Sequence, residues 1–255
     1  MSILLRYIAY DILRNRMIIA YTLFLLLMSA TMFSIESNPG KGLLNLLNIV
    51  LIVVPLVSII FSTIHYYNSY EFIELLLAQP IPRKRLAFGQ FLGVGIALSL
   101  AFLIGVGIPV LLTGFSAAAL SLVLTGVFLT LIFVALAMLA AVRTRDKARG
   151  IGVALLLWFY FALLYNGFVL FLLFAFSEYP LEKAVIAFVS FNPIDLGRIL
   201  VMLHTDASAL MGFTGAVMQQ FFGSGAGVAY AIGIMLLWFV LPLWGSVRSF
   251  SRKDF

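Results

Sequence analysis

Six apolar runs dominate the pattern of hydrophobic and polar positions: Met17 to Phe33, Leu43 to Ile64, Leu86 to Leu112, Ala117 to Val142, Ile151 to Phe176 and Val228 to Val247. A hydrocarbon core of about 30 Å takes roughly 20 such residues as a helix, so each run predicts a membrane span. As helices, all six satisfy their backbone groups internally, as lipid demands. Ahead of the first run, "ILLRYIAYDILRNR" groups Leu4, Leu5, Ile8 and Ile12 toward one face, with Arg6, Asp11, Arg14 and Arg16 supplying charge. That pattern predicts a helix lying in the membrane interface over residues 3–16. The first run is longer than a signal-peptide core and is followed by further spans, so it is expected to be retained. With no internal repeat and no low-complexity linker, residues 1–255 are expected to form one all-α membrane domain.

Two interruptions carry most of the polar information. Between the second and third runs lies "YEFIELLLAQPIPRKR", Tyr70 to Arg85. Asn68 is positioned to cap a short helix, Glu71 occupies the reciprocal capping position, and Tyr67 with Phe72 suits a hydrophobic staple. Glu71 and Glu74, three apart, share a face, and Phe72, Leu75 and Leu76 follow at helical spacing. Pro80 and Pro82 stop the helix. Within the region 67–85 the residues leave two readings open, an interfacial helix dipping into lipid or a docking element for another protein.

The second interruption is the long segment 177–227. In "FNPIDLGRILVMLHTD", Asn192 predicts a cap, Pro193 the first helical position, and Asp195 a carboxylate near the positive helix end, three residues before Arg198. A second helix is expected from Asp206 to Gly223, lying at the outer surface, because a seventh span there would move Arg248, Arg252 and Lys253 across the membrane.

Composition agrees with the spans: 64% of the chain is hydrophobic and 10% charged, with a mean hydropathy of +1.14. Six spans place both termini on one side, and thirteen of the sixteen lysines and arginines then share that side, leaving only Lys41, Lys183 and Arg198 opposite. The positive-inside rule makes the crowded side cytoplasmic. Because the cations sit at span ends, the net charge of +6 gives no reason to expect nucleic acid as a partner. The absence of cysteine excludes disulfides and thiolate chemistry.

No phosphate-binding loop occurs. The nearest piece, "SNPGKG", has Ile35 where the first glycine belongs and Gly42 where the hydroxyl belongs, so ATP chemistry is expected on another chain. No carboxylate lies near the middle of a run to support ion coupling. Asn45, Asn48 and Asn166 are expected to make hydrogen bonds between helices. Gly89, Gly93, Ala97, Ala101 and Gly105 recur every four residues and predict a close helix approach, while Pro55, Pro109 and Pro242 predict kinks. Met202, His204, Met211 and Met218 are donors that suit Cu(I), but a buried helix face explains the methionines more simply. No nucleophile, base and orienter can be grouped by spacing, so the chain is not expected to be an enzyme.

The acidic short helix followed by "LLLAQPIPRKRLAFGQFLG" resembles the loop after the second span of ABC-2 type permeases. The resemblance implies six spans with both termini cytoplasmic and a coupling helix seated in a nucleotide-binding subunit. It puts Glu71, Phe72, Glu74, Leu77, Pro80, Pro82 and Arg83 against that ATPase, which would hold the ATP and Mg, with no cofactor in this chain. Arg145 to Asn166, Asn192 to Leu203 and Ala209 to Gly225 are similar to stretches of the permeases of NosDFY systems, which help mature nitrous oxide reductase. That implies a permease dimer in a bacterial inner membrane, two NosF-like ATPases beneath it, and a periplasmic NosD-like protein held through Asn192, Pro193, Asp195 and Arg198. The alternatives are an ABC-2 exporter of a drug, lipid or polysaccharide, and a membrane scaffold without a transport role.

Overall fold

A computed structural model describes residues 12, 14–36, 38–79, 82–176, 182–205, 221–222 and 225–253, and among them all regular structure is helical. The interfacial helix expected over residues 3–16 and the surface helix expected from Asp206 to Gly223 lie largely outside the described residues. Helix α1 (Arg16–Ile35) starts at Asn15, whose side-chain oxygen accepts from the Met17 amide at 2.9 Å. Helix α2 (Pro39–Asn68) is capped by Asn38, with proline in the first turn where its missing N–H costs nothing. After the single residue Ser69 come α3 (Tyr70–Leu77) and then α4 (Arg83–Thr113). Ser116 caps α5 (Ala117–Arg143), and Asp146 caps α6 (Lys147–Ala175). Two short helices, α7 (Glu182–Ser190) and α8 (Pro193–Met202), precede α9 (Gly225–Arg252).

Helices α1, α2, α4, α5, α6 and α9 are each long and apolar enough to cross a membrane, and each contains most of one predicted run. The runs end in polar or small residues that start and stop helices, which is why the helices reach a few residues past them. One end of the bundle gathers the start of α4, the end of α9 and the α5–α6 turn, and so carries Arg83, Lys84, Arg85, Arg143, Arg145, Lys147, Arg248 and Arg252; it is called the basic end below. The other is the far end.

Helix α5 is the centre, packed by α2, α9, α8, α4 and α6. Lipid tails are as apolar as leucine, so close contact between helices rests on small residues that let backbones approach. Helix α5 supplies Ala118, Ala119, Gly126, Ala135, Ala137 and Ala141, all buried. The Phe102 ring occupies the place of the missing Gly126 side chain. The four-residue stripe on α4 is buried throughout, and at its end Gly105 meets α1, where an added Cβ would lie 2.7 Å from Leu25 Cβ. By contrast α1, α6 and α9 leave most of their apolar surface bare.

The widened turn Leu103–Gly107 in α4 has a cause legible in the chain. Pro109 has no N–H to give the carbonyl of Gly105, four residues earlier. Ser29 Oγ of α1 donates to that carbonyl instead, at 2.9 Å and fully buried. A second widened turn, Tyr160–Leu164, interrupts α6.

Segment 182–205 folds against the bundle: α7 and α8 meet at a bend of 112°. Asn192, in the bend, donates to the carbonyl of Phe161, midway along α6. Past α8, His204 and Thr205 line a cavity with the first turn of α2 and the last of α4, so the segment returns to the far end from which it came. It is a re-entrant hairpin reaching mid-depth. Such a bend is tolerated inside a membrane only where protein surrounds it, and Asn192 is completely buried.

Gly126→Ala should destabilise the protein by about 1–3 kcal/mol through collision with Phe102. Gly167→Ala, facing open space, should instead be neutral or stabilising, and thermal unfolding in detergent separates the two.

Candidate functional site

At the basic end, α3 lies outside the six spans and buries one side. Ile73 and Leu76 are enclosed and Leu77 is half-buried against the core. The opposite side exposes Glu71, Phe72, Glu74 and Leu75, and neither carboxylate makes a salt bridge among the described residues. A surface that alternates unpaired carboxylates with large apolar side chains suits a protein groove with cations at its rim better than a bed of lipid headgroups. Of the residues expected to touch a partner, Glu71, Phe72 and Glu74 share this face, Leu77 turns inward, and Pro80 lies outside the described residues. Pro82 and Arg83 are exposed at the start of α4. Leu75, 69% exposed, was placed at helical spacing by the sequence but not named among the partner contacts; its i+4 spacing from Glu71 was the available signal.

The caps around α3 differ from the expectation. Asn68 is the last residue of α2, not a cap, and its side-chain oxygen accepts from Lys147 Nζ at 2.8 Å. Tyr67 does not staple to Phe72. Its hydroxyl lies 2.5 Å from Thr144 Oγ1, and its ring fills the space where a side chain on Gly150 would stand. The residues just before α3 are therefore bolted to the α5–α6 turn. On the other side, Arg83 Nη1 donates to the carbonyl of Lys253 at 3.0 Å. The Lys253 ammonium sits over the rings of Tyr66 and Tyr70 at 5.8 and 5.6 Å. Burial, and then the nearby charge of Arg145, hold that ammonium below the usual lysine range. Helix α3 is thus joined to α2, α5, α6 and α9 within one turn of its own ends.

The far-end hairpin carries the second cluster. Asp195 receives Asn192 Nδ2 at 2.8 Å and Arg198 Nη1 at 3.5 Å. With its amide turned so that Nδ2 faces the carboxylate, Asn166 of α6 donates to both Asp195 oxygens, at 2.6 and 3.0 Å. Tyr165 Oη adds a bond to the Phe188 carbonyl of α7 at 2.6 Å, and Trp238 Nε1 of α9 reaches the Ser190 carbonyl at 3.0 Å. Asn166 accordingly makes the hydrogen bond between helices expected of it. Asn192 and Pro193 are buried and the Asp195 side chain is 13% exposed. These three residues hold the hairpin to the bundle and do not face outward; Arg198, 34% exposed, is the one of the four that reaches the surface. A carboxylate near mid-depth was missed from sequence, because Asp195 lies between runs and only folding brings it to α6. Met202 and His204 lie near the hairpin's end, whereas Met211 and Met218 fall outside the described residues.

Residues 49–255 match the family described as ABC-2 family transporter protein. The chain is 28% identical to the "Probable ABC transporter permease protein NosY" of Pseudomonas aeruginosa, across 92% of this chain and 89% of that one. It is also 28% identical to the protein of the same name from Stutzerimonas stutzeri, across 66% of this chain and 58% of that one.

Asp195→Leu strands the Asn166 amide and the Arg198 guanidinium and should cost about 1–3 kcal/mol. Asn166→Leu should cost less in that background than alone, with a coupling of about 0.5–3 kcal/mol in detergent unfolding. Additive effects would show that the two residues do not share a site.

Proposed function

Since the chain belongs to the ABC-2 family of transporter proteins, we propose that it is the permease of a NosDFY-like complex, transmitting ATP hydrolysis on a partner subunit to the periplasmic maturation of the copper sites of nitrous oxide reductase. In this reading the basic end is cytoplasmic, two copies of the chain pair in a bacterial inner membrane, and a NosF-like ATPase holding ATP and Mg grips each α3. A NosD-like protein sits on the segment 177–227. The extent of the match to proteins named NosY supports the choice of complex. One observation carries the docking assignment: an eight-residue helix outside the spans keeps two carboxylates beside Phe72 and Leu75 on its exposed side.

The residues around α3 suggest how a displacement travels. Movement of an ATPase pair shifts α3, and Tyr67, Thr144, Asn68 and Lys147 deliver the shift to the start of α6. Helix α6 carries it to its midpoint, where Asn192 and Asn166–Asp195 bind the re-entrant hairpin. Arg83 passes a second share to the end of α9, whose Trp238 holds α7. The periplasmic partner then senses the hairpin through Arg198 and the surface around it, with Asn192, Pro193 and Asp195 as positioning residues beneath.

Replacing Glu71 and Glu74 together with lysine should lower co-purification of the ATPase by about an order of magnitude, since like charges facing each other oppose association, while protease accessibility shows normal insertion. Unchanged co-purification removes the docking assignment. Retention of the ATPase without any secreted partner, and normal copper loading of the reductase in cells lacking this chain, would instead favour an exporter.

A further inference from the structure

The far end holds a cavity of about 610 Å³, within the range of small-molecule sites, between α1, α2, α4, α5 and the chain leaving α8. Its deeper wall is hydrocarbon, from Phe33, Leu43, Leu44 and Val110. Its rim is polar and positive. Lys41 lines it, is exposed, and makes no salt bridge among the described residues. His204 lines it too, with Nδ1 donating to the Leu200 carbonyl at 2.8 Å, which leaves Nε2 of the neutral ring as an acceptor. The first turns of α2 and α5 also open on it, adding the positive ends of two helix dipoles, and among the described residues no aspartate or glutamate lines it. The cavity thus lies where four helix ends and the chain leaving α8 meet at one end of the spans.

From this arrangement we infer that the cavity binds an anionic phospholipid, with the phosphate at Lys41 and an acyl chain along Phe33, Leu44 and Val110. Basic clefts between membrane helices attract acidic headgroups, and apolar walls beside the cation take a chain. A free phosphate shares the first half of this chemistry and would leave the hydrocarbon wall unfilled. The inference stands apart from the identity of the complex and from which side is cytoplasmic.

The experiment is native mass spectrometry of the full chain released from nanodiscs of phosphatidylcholine with and without phosphatidylglycerol. The native protein should retain phosphatidylglycerol in preference to phosphatidylcholine. Retention should fall by about tenfold, or ~1.4 kcal/mol, in Lys41→Glu and persist in Lys41→Arg. Leu44→Trp, which keeps every charge and fills the hydrocarbon wall, should also release the lipid, and it decides the matter if Lys41→Glu does not insert. Equal retention of the two lipids, or retention unchanged in Leu44→Trp, overturns the inference. Displacement of the lipid by inorganic phosphate at concentrations matching the lipid's own would assign the cavity to a small anion and overturn it as well.

Discussion

In hydrocarbon, a peptide carbonyl that loses its helical donor must find another, because no water is present to replace it. This constraint determines which helices are neighbours here. Pro109 strips the Gly105 carbonyl of its donor, and Ser29 brings α1 to it. The widened turn of α6 turns the Phe161 carbonyl to Asn192, and the end of α7 offers its Phe188 and Ser190 carbonyls to Tyr165 and Trp238. Trp158 of α6 also donates to the Ile52 carbonyl of α2. At several irregular places a side chain of one helix thus meets a backbone carbonyl of another, and these bonds connect the bundle. Measured single bonds of this kind average about 0.6 kcal/mol in membranes, so several acting together, with close packing around small residues, hold what one could not.

The same economy links the two ends. Helix α6 has the fewest buried side chains for its length, yet it is tied at its start by Lys147 and at its centre by Asn166. Between those two ties its side chains are mostly bare, whereas α5 is enclosed on nearly every side.

The spans were legible because hydropathy and length report directly on what hydrocarbon tolerates, and the cap at Asn192 with Pro193 behind it was legible because capping is local chemistry. The small-residue stripe on α4 announced a close approach but not that α1 would make it. Asn68 and Tyr67 were misassigned for a physical reason: their side chains could serve a local cap or staple, and the tertiary partners Lys147 and Thr144, far off in sequence, won. The depth of the hairpin was hidden because α7 and α8 are each too short to register as a span, and their position depends on α5 and α6. The exposed face of α3 was legible in its carboxylates and not in Leu75, since an apolar residue on an amphipathic helix does not say which side will be covered.

The hairpin also rests on a single close seam. Thr125 and Leu129 of α5 lie against Gly197 of α8, where an added Cβ would stand 2.6 Å from Thr125 Cγ2. Any side chain there would wedge α8 away from α5, so the two helices can shut against each other only because position 197 is glycine.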